Sequence, residues 1–129
     1  MTPTAILGTV SLSLLFAQTP QTPNSTRFFE WGEVYVDPNP VPSHVTPTFY
    51  AELTQLADTV ELRIYSLNLI PIHTRDFKKP TKASGGKYIY RYSWKGALGQ
   101  QTGVYFYLFR AAKTGHPTLK IMKSIKITR

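Results

Sequence analysis

The stretch that decides the fold is residues 86–109, which read GKYIYRYSWKGALGQQTGVYFYLF. Two runs of strand length, both rich in tyrosine and phenylalanine, flank a short segment of glycine, alanine, leucine, glutamine and threonine. Aromatic residues favour strands, and a glycine-punctuated segment between two such runs favours a turn. The stretch therefore predicts two neighbouring strands, at residues 87–94 and 103–111, in an all-β fold.

Five further strands are predicted around this pair, at residues 28–36, 47–54, 59–66, 69–75 and 118–128. Within the third of them, Val60, Leu62 and Ile64 alternate with polar or larger residues, which is the period of a strand with one buried face. Three prolines in residues 37–42 exclude a central strand there and predict a rigid loop. A second loop, rich in lysine, is predicted at residues 76–86. Seven short strands separated by turns predict a β-sandwich of the immunoglobulin or fibronectin type III style.

The sandwich is predicted to occupy residues 27–129, after an apolar segment at 1–17 and a linker of threonine and proline at 18–26. The apolar run is too short to span a bilayer as a helix, so no transmembrane span is predicted. It has the apolar centre of a secretory signal peptide, with the small residue Ala17 near a cleavage point.

A second interpretation of the N-terminal segment is a β-strand. Val10, Leu12, Leu14 and Phe16 recur at every second position, which is typical of a half-buried strand. Such a strand, carried on a flexible linker, could pair with the open sheet edge of a neighbouring subunit. A third interpretation is the end of a truncated upstream domain. The sequence leaves the three open.

The composition bounds the class of protein. A chain of 129 residues suits one domain with a sizeable core, and the absence of cysteine excludes disulfides, thiolate metal sites and cysteine catalysis. The net charge of +8 is uneven, because fourteen of the fifteen basic residues follow position 60. This asymmetry is typical of proteins attracted to nucleic acid, anionic lipid or polyanionic glycan, but it is also how β-proteins keep their exposed faces and edges soluble.

No catalytic or metal-binding pattern is present in the sequence. The three histidines, His44, His73 and His116, lie far apart and lack the spacing of zinc ligands. Acidic residues occur singly, and neither a nucleophile elbow nor a phosphate-binding glycine loop is found. The prediction is therefore a protein that is not an enzyme and that uses no cofactor and no metal.

Residues 34–127 resemble the immunoglobulin-like domain of flagellar hook-capping proteins and the related C-terminal modules of bacterial surface proteins, including type IX secretion sorting domains. The resemblance rests on a strand ending in Asn-Pro, a strand of Val-x-Leu-x-Ile-Tyr form, a Trp-x-Gly turn, a Gly-x-Tyr-x-Tyr strand and a lysine-bearing last strand. The residues that carry these motifs are Asn39, Pro40, Val60 to Tyr65, Trp94, Gly96, Gly103, Tyr105, and Lys120 to Ile127.

These observations predict a non-catalytic structural or assembly module, exported to the cell surface or the extracellular space. Its partners would be further copies of itself or other surface proteins, with nucleic acid disfavoured. In one version, Val10, Leu12, Leu14 and Phe16 form a donated strand that builds a filament. The alternatives are a carbohydrate-binding or adhesion module and a C-terminal sorting or anchoring domain of a larger secreted protein. The aromatic phases of the two aromatic-rich strands either fill the interior, with Trp94 as a core anchor, or face outward in part. In the second case a glycan or a subunit would contact an aromatic surface, for which the candidates are Tyr88, Tyr90, Tyr92 and Tyr107.

Overall fold

The computed structural model describes residues 28–129, which form eight β-strands and one short 3-10 helix. The strands are β1 (Trp31–Asp37), β2 (Thr48–Leu53), β3 (Thr59–Tyr65), β4 (Pro71–Phe77), β5 (Lys82–Ser84), β6 (Lys87–Ser93), β7 (Gly103–Ala112) and β8 (Leu119–Ile127), and the 3-10 helix is Lys95–Gly99.

The strands form two antiparallel sheets of four, in the orders β1-β2-β6-β5 and β4-β3-β7-β8. Alternate side chains of each sheet meet in a shared interior, as the period of two requires. Val60, Leu62 and Ile64 of β3 all lie in this core, as their spacing predicts. The predicted all-β sandwich architecture is confirmed.

The core is dominated by aromatic rings. Phe49 of β2 and Tyr107 of β7 meet across the two sheets edge to face, with ring centroids 4.9 Å apart. Phe77 and Tyr90 make a similar contact at 5.5 Å. Edge-to-face packing brings the positive rim of one ring to the negative face of the other, which adds about 0.5–1.5 kcal/mol per pair to the effect of burial. Many of the tyrosine and phenylalanine residues therefore pack in the interior of the sandwich.

The structure departs from the predicted strand set in the lysine-rich segment 76–86. β4 continues to Phe77, and β5 pairs with β6 through a tight turn at Gly85 and Gly86, which adopt φ of 59° and 77°. Positive φ is accessible to glycine because it lacks a Cβ. All three residues of β5 are exposed, so the strand has no hydrophobic alternation by which the sequence could reveal it. The described chain thus has eight strands where seven were predicted.

The proline-rich segment 37–42 forms the predicted loop and crosses from the first sheet to the second. Val41 is buried and bridges to β8, where its amide donates to the Lys126 carbonyl at 2.7 Å and its carbonyl accepts from the Thr128 amide at 2.8 Å. The Asn39 side chain supports the same crossing through two further hydrogen bonds to β8.

Each of the four edge strands carries a feature that limits pairing with another strand. The register of β1 is irregular between Trp31 and Val34, and β5 has only three residues. β4 carries Arg75 on its inward phase, and β8 carries Lys123 on its inward phase. Bulges, short strands and inward-pointing charges are the usual protections of an open sheet edge.

Candidate binding surfaces

The Trp-x-Gly motif forms the corner that follows β6. Trp94 is buried, and its backbone amide donates to the Pro47 carbonyl at 2.9 Å. A Cβ on Gly96 would lie 2.5 Å from the indole nitrogen of Trp94, so only glycine fits beneath this ring. The guanidinium of Arg129 donates to the carbonyls of Ala97 and Leu98 and thereby holds the same turn from outside. The Trp-x-Gly motif therefore has a structural role, which is to pack the corner after β6 against the core.

The remaining motif residues also have structural positions. The Tyr105 hydroxyl donates to the Gln101 carbonyl, four residues upstream, at 2.7 Å. Gly103 begins β7, and a Cβ there would meet no atom within 4 Å. Asn39 binds β8 as described above, and Pro40 follows it through a cis peptide bond.

The predicted aromatic surface of Tyr88, Tyr90, Tyr92 and Tyr107 does not form. Tyr90 and Tyr107 are each only 1% exposed, because their phase of β6 and β7 points between the sheets. Tyr88 and Tyr92 share that phase and are half-buried against the core. The structure thus favours the core interpretation of these strands over the outward surface; the sequence left the choice open, since a fully aromatic phase looks the same whether it faces inward or outward.

The predicted donated strand, with Val10, Leu12, Leu14 and Phe16, lies outside the described residues.

An aromatic pair of one exposed and one buried ring lies instead on the outer face of the first sheet. Tyr35 of β1 stacks on Tyr50 of β2, with centroids 4.7 Å apart, and the Arg91 guanidinium lies 5.6 Å from the Tyr50 ring on the β6 side. The Tyr50 hydroxyl donates to the carboxylate of Glu52, which is buried, and Lys87 approaches that carboxylate at 3.8 Å. The hydrogen bond to Glu52, followed by burial, raises the pKa of Tyr50 to about 12.

A cleft lies beside this face, where the β4–β5 segment approaches β6. We call it the basic cleft; its cationic residues are Arg75, Lys78, Lys79 and Arg91, and its volume is about 460 Å³. Pro80, Thr81 and Phe77 complete the wall, and Asp76 is its single carboxylate. The cleft joins residues of both sheets, since β4 and β5 are edge strands of different sheets.

Next to the basic cleft, His73 fills the opening between β4 and β6. Its ring stacks on Tyr92 at 5.4 Å with an interplanar angle of 8°, and its Nε2 shares a 2.8 Å hydrogen bond with the Tyr92 hydroxyl. Within residues 28–129 no three histidine or acidic residues are grouped so that they could hold a metal ion.

The outer face of the second sheet is mixed: it carries Glu61, Arg63, Arg110, Lys120 and Lys126, and it also holds a group of apolar residues. Phe106 and Leu108 occupy the outward phase of β7, and their cross-strand neighbours include Tyr65 of β3 and Met122 of β8. Beyond Tyr65, the β3–β4 turn exposes three aliphatic side chains, Leu67, Leu69 and Ile70, with exposed fractions of 61%, 56% and 60%. These seven residues are called the apolar face below. Contiguous exposed apolar surface on a small domain marks an interaction site.

Asp58, an acidic residue in the β2–β3 loop, has a structural role. Its carboxylate accepts hydrogen bonds from the backbone amide and the hydroxyl of Thr114, at 2.7 and 2.8 Å. These two bonds lower the pKa of Asp58 and tie the loop before β3 to the one after β7.

Comparison with known proteins gives no match, neither to a family model nor to a curated protein. In the part of the chain that the structure describes, no helix is both long and apolar enough to cross a membrane.

Sequence reasoning missed the apolar face and the Tyr35–Tyr50 pair for related reasons. Phe106 and Leu108 alternate with core residues in a strand that is apolar on both phases. Such a strand can be buried on both faces or can expose one apolar face, and its sequence does not distinguish the two cases. Tyr50 and Glu52 lie on a strand whose residues are almost all buried, so no alternation marks their outward phase.

Proposed function

We propose that this protein is a non-catalytic assembly module, exported to the cell exterior, whose copies associate through the apolar face. The observation that carries the proposal is the β3–β4 turn, where Leu67, Leu69 and Ile70 are each more than half exposed, beside the outward Tyr65–Phe106 and Leu108–Met122 pairs of the adjoining sheet. Burying such side chains is the main driving force of association, at about 25 cal/mol per Å² of apolar surface. A flat face of this kind can pair with its own copy about a twofold axis.

An immunoglobulin-like or fibronectin III-like identity for the sandwich is part of the proposal. It is supported by the strand orders β1-β2-β6-β5 and β4-β3-β7-β8, which correspond to an A-B-E-D sheet and a C′-C-F-G sheet of such domains. The bond from Tyr105 to a carbonyl four residues upstream resembles the tyrosine corner of these sandwiches. The likeness to hook-capping and surface-protein modules rests on the sequence motifs alone.

The described edges favour association through a face over the strand donation predicted from the sequence. An incoming strand beside β4 would have to accommodate Arg75 on the interior side, and one beside β8 would meet Lys123 and the Asn39 crossing. The β3–β4 turn at one end of the apolar face exposes only aliphatic side chains at Leu67, Leu69 and Ile70. Donation of the strand that contains Val10 and Phe16 therefore becomes the competing outcome of the test.

The decisive experiment is sedimentation of the chain over a range of concentrations. The double variant Leu67→Gln/Ile70→Gln changes two exposed side chains of the apolar face. Losing about 1 kcal/mol of burial for each is expected to weaken self-association at least tenfold. The matched control Phe28→Gln/Leu56→Gln changes two exposed side chains at the opposite end of the sandwich and should leave association unchanged.

The outcomes separate the competing mechanisms. Association that survives the apolar-face variant but is lost in Leu12→Asn/Leu14→Asn would refute the face and establish strand donation. A wild-type chain that stays monomeric at every concentration would refute self-assembly and leave the adhesion and sorting alternatives.

A further inference from the structure

We propose that the basic cleft binds an anionic polysaccharide, whose carboxylate or sulfate groups contact Arg75, Lys78, Lys79 and Arg91. This site lies on the β4–β6 side of the molecule, separate from the apolar face, and the inference stands independently of self-assembly. The cleft would place part of the net positive charge of the protein at one site, where an anionic ligand could bind.

The cations of the cleft lack protein counterions. In residues 28–129, ion pairs join only Arg63 to Glu61 and Lys87 to Glu52. None of the four cleft cations takes part in either pair, although Asp76 lies in the same wall. Four positive groups beside one carboxylate leave a net local charge that an anionic ligand would neutralise.

The two arginines are held in position by aromatic rings. The Arg75 guanidinium lies 5.2 Å from the Tyr92 ring centroid and 5.6 Å from that of Phe77. Arg91 lies over Tyr50 at 5.6 Å, and its backbone amide donates to the Thr81 hydroxyl at 3.0 Å. Stacking contacts restrain a guanidinium while leaving its N–H groups free, so little rotamer entropy is lost when it binds a carboxylate or sulfate in its fork.

The shape of the site suits a chain rather than a small ion. Arg91 lies both in the cleft wall and against the Tyr35–Tyr50 stack, so the cleft continues onto the outer face of β6, β2 and β1. Three strand spacings separate β5 from β1 along this path, about 14 Å at the usual spacing of about 4.8 Å. Tyr35 is 43% exposed at the far end and offers a ring face on which a sugar can pack.

The same geometry disfavours single-stranded nucleic acid, the other extended polyanion. Sequence-tolerant nucleic-acid binding relies on free aromatic faces that alternate with cations. In the cleft those faces are occupied, because Arg75 covers Tyr92 and Phe77 and Arg91 covers Tyr50. The cleft therefore presents charge and forked donors but no platform for a series of bases.

The test is calorimetric titration of the full chain with polygalacturonate and heparin, as a carboxylated and a sulfated probe. Dextran serves as the neutral polymer and a poly-deoxythymidine oligonucleotide as the nucleic-acid probe. The variant Arg75→Gln/Lys79→Gln removes two cleft cations. The matched control Lys120→Gln/Lys126→Gln removes the same charge from two exposed lysines on the outward phase of β8, in the other sheet.

We expect at least one acidic polysaccharide to bind, dextran not to bind, and the cleft variant to lose roughly tenfold in affinity for each charge-assisted contact removed. The control should lose less than threefold at the same net charge. Equal losses in the two variants would overturn the proposal, because binding would then follow total charge alone. Tighter binding of the oligonucleotide, or no binding of either acidic polymer, would also overturn it.

Discussion

Replacing Gly96 with alanine is expected to destabilise the protein, although Gly96 itself lies on the surface. The new Cβ would lie 2.5 Å from the Trp94 indole nitrogen, whereas ordinary contacts begin at 3.4 Å. The ring would therefore have to move by about 0.9 Å, the difference between these distances. Trp94 cannot move freely, since it is 2% exposed and packs against Phe49 and His73.

The expected magnitude follows from two opposing effects. Forcing extra volume into a well-packed core costs about 1–3 kcal/mol. Replacing glycine by alanine restricts the unfolded chain, which returns about 0.4–1 kcal/mol. The net loss should be about 1–2 kcal/mol, and it should lower the Tm by about 4–12 °C for a domain of this size.

Chemical and thermal denaturation followed by tryptophan fluorescence would measure this change. Gly99→Ala is the matched control, because Gly99 ends the same 3-10 helix and a Cβ there would meet no atom within 4 Å. It should be neutral or slightly stabilising. In a Trp94→Phe background, which removes the indole nitrogen, Gly96→Ala should lose most of its effect. Equal stability of the Gly96 and Gly99 variants would refute the steric reasoning.

Two further perturbations test hydrogen bonds seen in the structure. Because the pKa of Tyr50 is raised to about 12, its contribution to stability is complete below pH 10 and is lost as the pH rises from about 10 to 12. Glu52→Gln should lower the pKa of Tyr50 and reduce the loss of stability between pH 10 and 12. Phenolate absorbance would measure the pKa and denaturation at each pH would measure the stability; an unchanged titration of Tyr50 would contradict this. Asn39→Ala removes the bonds to the Ser124 carbonyl and the Lys126 amide and should cost about 1–2 kcal/mol. Hydrogen exchange at Lys126 should accelerate, and unchanged protection there would show that the crossing loop holds β8 without Asn39.

Hydrophobic alternation predicted the sandwich correctly because burial on one face leaves a direct mark on the sequence. Val60, Leu62 and Ile64 show it, since all three lie in the core. β5 left no such mark, since a strand exposed throughout is held only by the backbone bonds of its neighbour and a glycine turn.

The binding surfaces could not be predicted from the sequence for a different reason: they depend on the topology of the sheets. Arg75 and Arg91 are separated in the chain by a strand and two turns, and they line one cleft because the chain passes from edge strand β4 of one sheet to edge strand β5 of the other, next to β6. Likewise, the orientation of Tyr90 and Tyr107 depends on which phase the partner sheet covers. No local pattern within a single strand contains that information.

The cations on the rims of β4 and β8 have a consequence for behaviour in crowded surroundings. Unpaired backbone groups along an exposed edge strand would let neighbouring molecules join into one continuous sheet. The buried face of such a sheet cannot solvate a guanidinium or an ammonium group. Arg75 and Lys123 are therefore expected to disfavour edge-to-edge pairing between molecules at high protein concentration. Exchanging Arg75 for valine is expected to remove that restraint from the β4 edge and to convert soluble protein into fibrous aggregate; at Lys123 the same change would also remove the hydrogen bond from the ammonium to the Val34 carbonyl.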